Sequence, residues 1–408
     1  MNISYNWLRD LIDIDLPAEE VASALTRVGL AVEGIHPHKD DFVFDIDLTS
    51  NRPDCLSHLG VARELSVITQ AETRPVGNVP LDHGQSANSP NLVTIEDPGL
   101  CHRFTARIIR GVKIRPSPQW LVDRLEAIGE RSINNVADIT NYVMHELCQP
   151  MHSFDLDKLS GQRIVVRRAK DGEAIKTLDE VERELDDSML AICDAEKPAA
   201  VGGIMGGLDS SIADETINVL LEVAFFKRSN IRATSRKLNL STEASYRFER
   251  GVDIENLERA SNRAAELMAD LAGGQIGEFV DVYPTRHEPQ TVKSNDISAA
   301  VERLTGLETD TQECLRILNS LGIAEDGISF ADSRLFSVPS WRHDITIEED
   351  LVEEIARHAG YDNIGEELPP AYGAGEYQGS ESREKQLRQT LVAIGFDEAL
   401  SYSFIDTK

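Results

Sequence analysis

The sequence predicts an α+β protein of several units, and three observations carry that prediction. Its 408 residues exceed what one hydrophobic core comfortably serves. Segments with apolar residues at helical spacing alternate with short segments of period two, the pattern of mixed helix and strand. Two stretches rich in proline, glycine and small polar residues, 73–91 and 366–380, read as linkers. The expected order is a small N-terminal α+β unit (1–85), a central mixed α/β unit (92–275), a small helical or winged unit carrying carboxylates (290–366), and the start of a further module (380–408).

In the first unit, Ser4 to Ile12 and Pro17 to Val28 read as helices, the second opened by proline and closed by Gly29. Phe42, Phe44, Ile46 and Leu48 alternate with their neighbours, which predicts a strand with one buried face. Asn51-Arg52-Pro53 is a turn, and His58 to Gln70 resumes the helical pattern.

The central unit opens with strands at 92–95 and 104–109 and a helix at 117–128. Next comes NNVADITNYVMHELCQPMHSFD, where Val136, Ile139, Val143 and Leu147 recur at helical spacing before Pro150 forces an extended turn. Thr140, Asn141 and His152 are thereby polar groups lodged among core positions, and His152 reads either as a hydrogen-bonded structural residue or as a functional one. Further strands are expected at 163–168 and 189–192. VGGIMGG (201–207) is a tight turn or a place where a ligand meets bare backbone; it lacks the residues of a phosphate loop. NVLLEVAFF (218–226) is a buried strand whose one acid, Glu222, must face outward or find a specific partner. Exposure is the default for it; facing a cavity, it becomes a recognition or acid–base group. STEASYRFER (241–250) reads as a helix with Ser241 as N-cap, and 256–271 as another.

In the third unit, helices at 297–304 and 311–321 precede a strand pair near Ile328 and Leu335. Asp350, Glu353 and Glu354 then fall on one helix face, with Asp344 just upstream. Such a set suits a hard cation like Mg²⁺, or is an acid-rich first turn favoured by the helix dipole. A helix at 383–394 and a strand at 400–405 follow.

Composition limits the function classes. Seventy acids against 41 basic residues give a net charge of −29, so bulk charge offers no case for nucleic-acid binding; a local basic strip is the only route to it. Five cysteines without a CxxC pair argue against a zinc site or disulfide framework. No apolar run reaches membrane-spanning length, and the acidic N-terminus is not a secretory signal, so a cytoplasmic protein without membrane contact is expected.

Five motifs in order, INNVADITNYVMHELCQPMHSFD, VGGIMGG, LLEVAFF, LSTEASYRFERGVD and VPSWRHDITIEEDLVEEIAR, resemble the β subunit of bacterial phenylalanyl-tRNA synthetase. MNISYNWLRDLIDIDL and TSNRPDCLSHLGVARELSVI are similar to that family's first domain, so the resemblance covers nearly the whole chain. It implies an enzyme that charges tRNA(Phe) with phenylalanine using ATP, as an α₂β₂ assembly with an α-subunit partner. The middle unit is similar to the family's editing domain, which hydrolyses mischarged Tyr-tRNA(Phe). The last module is similar to the start of a class II synthetase-like antiparallel sheet.

Carried over residue by residue, the resemblance places Thr140, Asn141, His152, Gly202, Gly203, Glu222, Thr242 and Ala244 in an editing pocket. Glu222 would accept the tyrosine hydroxyl, and Gly202, Gly203 and Ala244 would leave room for the ring. His152 and Thr242 would place the terminal ribose and the attacking water. Asp344, Asp350, Glu353 and Glu354 match positions implied to bind Mg²⁺ at a site shared with the α subunit. The family's inserted OB-fold domain is absent, since Gly34–Pro37 passes almost directly to Phe42–Phe44. A free-standing editing factor, or a non-catalytic RNA-binding or assembly paralogue, are the competing functions.

Overall fold

A computed structural model describes residues 1–77, 92–328, 333–366, 375 and 378–405. Most of both expected linkers lies outside the described residues. The chain divides into two compact units, Met1–Ile364 and Gly365–Lys408.

The first unit begins with β1 (Asn2–Ser4), α1 (Tyr5–Leu11) and α2 (Ala18–Arg27), followed by β2 (Ala31–His38) and β3 (Asp41–Asp47). Ser4 caps α1 by accepting from the Trp7 N–H at 3.0 Å. These strands form an antiparallel sheet in the order β1-β3-β2, and β2 and β3 are joined by the two-residue turn Lys39-Asp40. As the middle strand, β3 buries Val43 as well as Phe44 and Ile46, while Phe42, beside the turn, is exposed. The strict alternation expected there therefore fails at the turn end. Helix α3 (His58–Thr69) completes the segment.

The central part holds β4 (Val93–Ile95), β5 (Cys101–Arg110), α4 (Gln119–Ala127), α5 (Asn135–Leu147), β6 (Met151–Asp155) and β7 (Ile164–Arg168). Next come β8 (Glu173–Lys176), β9 (Glu182–Leu185), β10 (Leu190–Cys193), β11 (Pro198–Val201) and β12 (Met205–Gly206). It closes with β13 (Asn218–Phe226), α6 (Arg228–Lys237), α7 (Glu243–Arg250), α8 (Leu257–Ala272) and β14 (Gln275–Val282). Two sheets result: an antiparallel one ordered β14-β5-β13-β6, and a mixed one ordered β12-β11-β10-β7-β4. The remainder comprises β15 (Gln290–Ser294), α9 (Ile297–Thr305), α10 (Thr311–Ser320), β16 (Ala324–Ile328), β17 (Arg334–Val338) and α11 (Glu348–Ala359).

The N-terminal and central parts share one core. Trp7 stacks on His58 and on Tyr142 of α5, with ring centroids 3.9 and 4.3 Å apart. His58 Nε2 accepts from the Ser4 N–H at 3.1 Å, and its Nδ1 lies 3.0 Å from the His145 carbonyl of α5. Burial holds this imidazole at about 3, so it stays neutral. The stretches expected as separate units thus pack as one body from Met1 to Ile364.

In the second unit α12 (Gly379–Ala393) forms as expected, but residues 400–405 do not form a strand. Leu400, Tyr402, Phe404 and Ile405 are more than four-fifths exposed, and among the described residues no partner strand or buried face holds them extended. All five cysteines are buried and free. Among the described residues no helix is long and apolar enough to cross a membrane.

Candidate active site

Helix α5 starts where Asn134 accepts from the Val136 and Ala137 N–H groups at 3.1 and 2.9 Å. Val136, Ile139 and Val143 enter the shared core, which turns Thr140, Asn141 and Met144 toward a cavity of about 240 Å³. Cys148 ends the helix in a left-handed conformation, and Pro150 leads into β6, a strand where only an extended turn was expected. In register with β13, His152 lies directly opposite Glu222, so both side chains leave the sheet on one face. Ile192 of β10, the 203–206 turn, and the start of α7 close the far side. The volume falls below the roughly 300–1,000 Å³ of pockets that hold drug-sized ligands, and suits one aromatic amino acid.

Of the two alternatives open to Glu222, the structure takes the second: it faces the cavity and not solvent. The residue is 6% exposed, because both neighbouring strands of β13 cover the backbone and the cavity receives the side chain. Glu222 Oε2 and His152 Nε2 are shut off from solvent and have no hydrogen-bond partner among the described residues. Burial pushes Glu222 up to about 8 and draws His152 down to about 4, so both are neutral near pH 7. The His152 ring meets Phe154 edge-on, with centroids 4.5 Å apart.

The opposite shifts make stability depend on pH in opposite directions. Between the ordinary carboxylate range and about 8, only the folded state keeps the Glu222 proton, so stability falls as pH rises. Between about 4 and 6.5 the unfolded state binds a proton at His152 that the folded state lacks, so stability rises with pH. Glu222→Gln should therefore gain thermal stability relative to the parent as pH goes from about 5 to about 8, by at most about 1.4 kcal/mol per pH unit. A melting difference that does not vary with pH would mean that Glu222 is ionised.

Seven of the eight expected pocket residues reach this cavity: Thr140, Asn141, His152, Gly203, Glu222, Thr242 and Ala244. Gly202 does not. Its N–H donates to the Leu190 carbonyl at 2.9 Å, and a Cβ would press on Leu190. Gly203 takes a positive φ of 67°, and its missing side chain would strike Ile231 and Phe226 at 2.7 and 2.9 Å. These two glycines therefore let the turn pack against the core, where they were expected to make room for a ring. The glycine that opens space is Gly206, which sequence reasoning did not single out: a Cβ there would overlap the His152 imidazole.

Thr242, not Ser241, is the N-cap of α7. Its Oγ1 accepts from the Ser245 N–H at 3.0 Å and donates to the Ile204 carbonyl at 2.9 Å, tying the helix to the glycine turn. Thr140 Oγ1 donates to the Ala137 carbonyl at 2.7 Å. Asn141 makes no side-chain hydrogen bond among the described residues. The first N–H groups of α7, unpaired as in any helix start, belong to Glu243 and Ala244 beside the cavity.

The four carboxylates expected to hold Mg²⁺ do not converge in this chain. Asp344 takes a bidentate pair from Arg342 at 2.9 and 2.8 Å, and Asp350 accepts from the Thr346 and Ile347 N–H groups at the start of α11. Glu354 turns inward to Arg342 and Arg357, while Glu353 faces solvent. Arginines and a helix cap engage three of the four, and among the described residues no three of them bring ligand atoms within 4.8 Å of one another. Among the described residues ligand-type groups meet at two places, one of Asp54, Cys55 and Glu64 and one of Glu130, His145 and Glu243, and a buried arginine bonds into each: Arg52 to Asp54 and Glu64, Arg247 to His145 and Glu243.

Two family models match the chain: a B3/4 domain over residues 100–273 and a tRNA synthetase B5 domain over 298–361. The phenylalanine–tRNA ligase β subunit of Moorella thermoacetica is 46% identical over 367 residues, 90% of this chain and 45% of that protein. The chain belongs to the phenylalanine–tRNA ligase β-subunit family. The Carboxydothermus hydrogenoformans β subunit is 43% identical over 90% of this chain and 45% of its own length. That of Rhodopirellula baltica is 39% identical over 100% of this chain and 60% of its own. The chain thus spans about half the length of the curated relatives it matches. A solved N-terminal fragment of the phenylalanyl-tRNA synthetase β subunit from Pyrococcus horikoshii covers 88% of this chain at 16% identity, with a TM-score of 0.48.

The cavity lies wholly within the stretch matched by the B3/4 model. The Asp344 to Glu354 segment falls in the B5 match.

Proposed function

We propose that the cavity hydrolyses the ester of tyrosyl-tRNA(Phe), and that the chain acts as a phenylalanine–tRNA ligase β subunit. Its partner is then an α subunit in an α₂β₂ assembly that joins phenylalanine to tRNA(Phe) with ATP, in the cytoplasm. One observation carries the hydrolytic reading: an amino-acid-sized cavity in which two neutral, unpartnered polar groups, Glu222 Oε2 and His152 Nε2, stand side by side.

A protonated Glu222 can donate to a phenolic oxygen and accept from its hydroxyl. Phenylalanine in the same place leaves that buried carboxyl unpaired, which is the strongest basis for rejecting an analogue that lacks a hydroxyl. Neutral His152 can hold the attacking water at Nε2. Water adds to the ester carbonyl carbon, the ester C–O bond breaks, and the water's proton leaves with the ribose hydroxyl. The first N–H groups of α7 are suited to the charge that develops on the carbonyl oxygen. Thr242, whose hydroxyl proton is committed to the Ile204 carbonyl, ties α7 to the glycine turn, while Thr140, whose hydroxyl turns back onto its own helix, lines the wall. No step is assigned to a magnesium ion.

Deacylation of Tyr-tRNA(Phe) and Phe-tRNA(Phe), by the chain alone and with the α subunit, tests this reading. Glu222→Ala should erase a preference for the tyrosyl ester of at least about 100-fold. His152→Ala should slow hydrolysis about 100-fold or more. A parent chain inactive in both settings, or a preference that survives Glu222→Ala, would refute the assignment.

A further inference from the structure

Bulk charge argues against nucleic-acid contact, yet one element departs from it. Helix α6 and the residue before it, KRSNIRATSRK, carry five cations and no acid in a chain of net charge −29. Ile231, Thr234 and Ser235 point inward, and Ile231 packs behind Gly203 of the cavity wall. Lys227, Arg228, Arg232, Arg236 and Lys237 are all exposed. Lys237 pairs with Asp186 at 2.6 Å; among the described residues the other four form no ion pair.

Within the chain this arrangement is electrostatically unfavourable. Arg228, Arg232 and Arg236 stand at successive i, i+4 positions, about 6 Å apart along the axis, where like charges repel. Lys227 and Arg228 sit at the positive end of the helix dipole, with no acid in the first turn to offset it. A protein with 70 acids has ample means to neutralise such a stripe and does not. The unpaired arginines offer planar forks of the kind that grip phosphate oxygens bidentately.

We propose that the outer face of α6 binds the phosphate backbone of RNA, guiding to the adjoining cavity the tRNA whose aminoacylated end is hydrolysed there. The proposal rests on the cavity acting on a tRNA ester. The helix follows β13, which bears Glu222, and precedes α7, capped by Thr242, so a strand held on α6 is close to the pocket.

Anisotropy of labelled, uncharged tRNA(Phe) titrated with the full chain, from about 50 to about 200 mM salt, tests it. The triple variant Arg228→Gln, Arg232→Gln, Arg236→Gln should lose at least about tenfold in affinity. The slope of log affinity against log salt should shrink by about two to three. The corresponding triple lysine variant should keep that slope, which separates charge from folding, and replacing exposed Arg9, Arg27 and Arg131 by Gln should change neither quantity. Unchanged affinity and slope in the glutamine triple overturn the proposal. So does a parent that does not bind tRNA, or a triple variant that loses only phosphatidylserine vesicle binding. Because the probe carries no amino acid, a chain that binds through α6 but leaves Tyr-tRNA intact sinks the hydrolytic reading alone.

Discussion

Gly206→Ala is expected to reduce deacylation of Tyr-tRNA(Phe) by about 100-fold or more while the chain remains folded. A β-carbon at residue 206 would occupy the space of the His152 imidazole, and the ring lies between β12 and Phe154 with little freedom to retreat. Overpacking of this kind costs about 1–3 kcal/mol, which a unit with so large a shared core can absorb. Displacing a water-holding group by about an ångström is enough to cost about 100-fold in rate. Single-turnover deacylation read beside a thermal melt separates the two effects. An active, folded alanine variant would show that His152 is not held where the reaction needs it.

Glu64→Ala should destabilise the first unit by about 3–5 kcal/mol, the largest loss expected from any single charged residue in it. Glu64 is 1% exposed and joins α3 to α11. It accepts from Arg52 at 2.5 Å and from Arg357 at 2.5 and 3.1 Å, and His358 Nε2 lies 3.0 Å away. Burial alone would raise its affinity for a proton, but Arg357 and Arg52 hold it well below the ordinary carboxylate range. Its contribution is therefore present above the ordinary carboxylate range and is lost only as pH falls through that depressed value. Removing the carboxylate leaves two buried guanidinium groups short of a partner. Asp123→Ala, which breaks an exposed pair with Lys39, should cost less than about 1 kcal/mol in the same denaturant titration. Equal losses for the two variants would show that the buried network does not brace α3 against α11.

Local rules reach a definite part of this architecture. Asn134 followed by Val136, Ile139 and Val143 announces α5, its cap and its buried face, since each follows from spacing and side-chain chemistry within one segment. The direction of Glu222 is another matter. An acid between Leu221 and Val223 faces outward by default, and only the pairing of β13 with β5 and β6 together turns it inward. Gly206 was hidden for a similar reason. Four glycines in seven residues advertise a turn, but which of them makes room for a histidine some fifty positions away depends on tertiary packing. The carboxylates near α11 obey the same logic in reverse. Their helical spacing is real, yet Arg342 and Arg357 arrive from the same neighbourhood and claim Glu354 first. A run of basic residues without a single acid was visible all along at 227–237; its meaning needed the helix and its exposure.

The hairpin of β2 and β3 has a consequence for modular architecture. The strands stay paired out to His38 and Asp41, so the chain departs from the sheet and returns to it at essentially one point. Whatever polypeptide is spliced in at Lys39-Asp40 meets a closed core, and the cost to the host is mainly that of closing a longer loop, which grows only slowly with length. A tethered accessory domain could be gained or shed there without repacking the rest of the molecule.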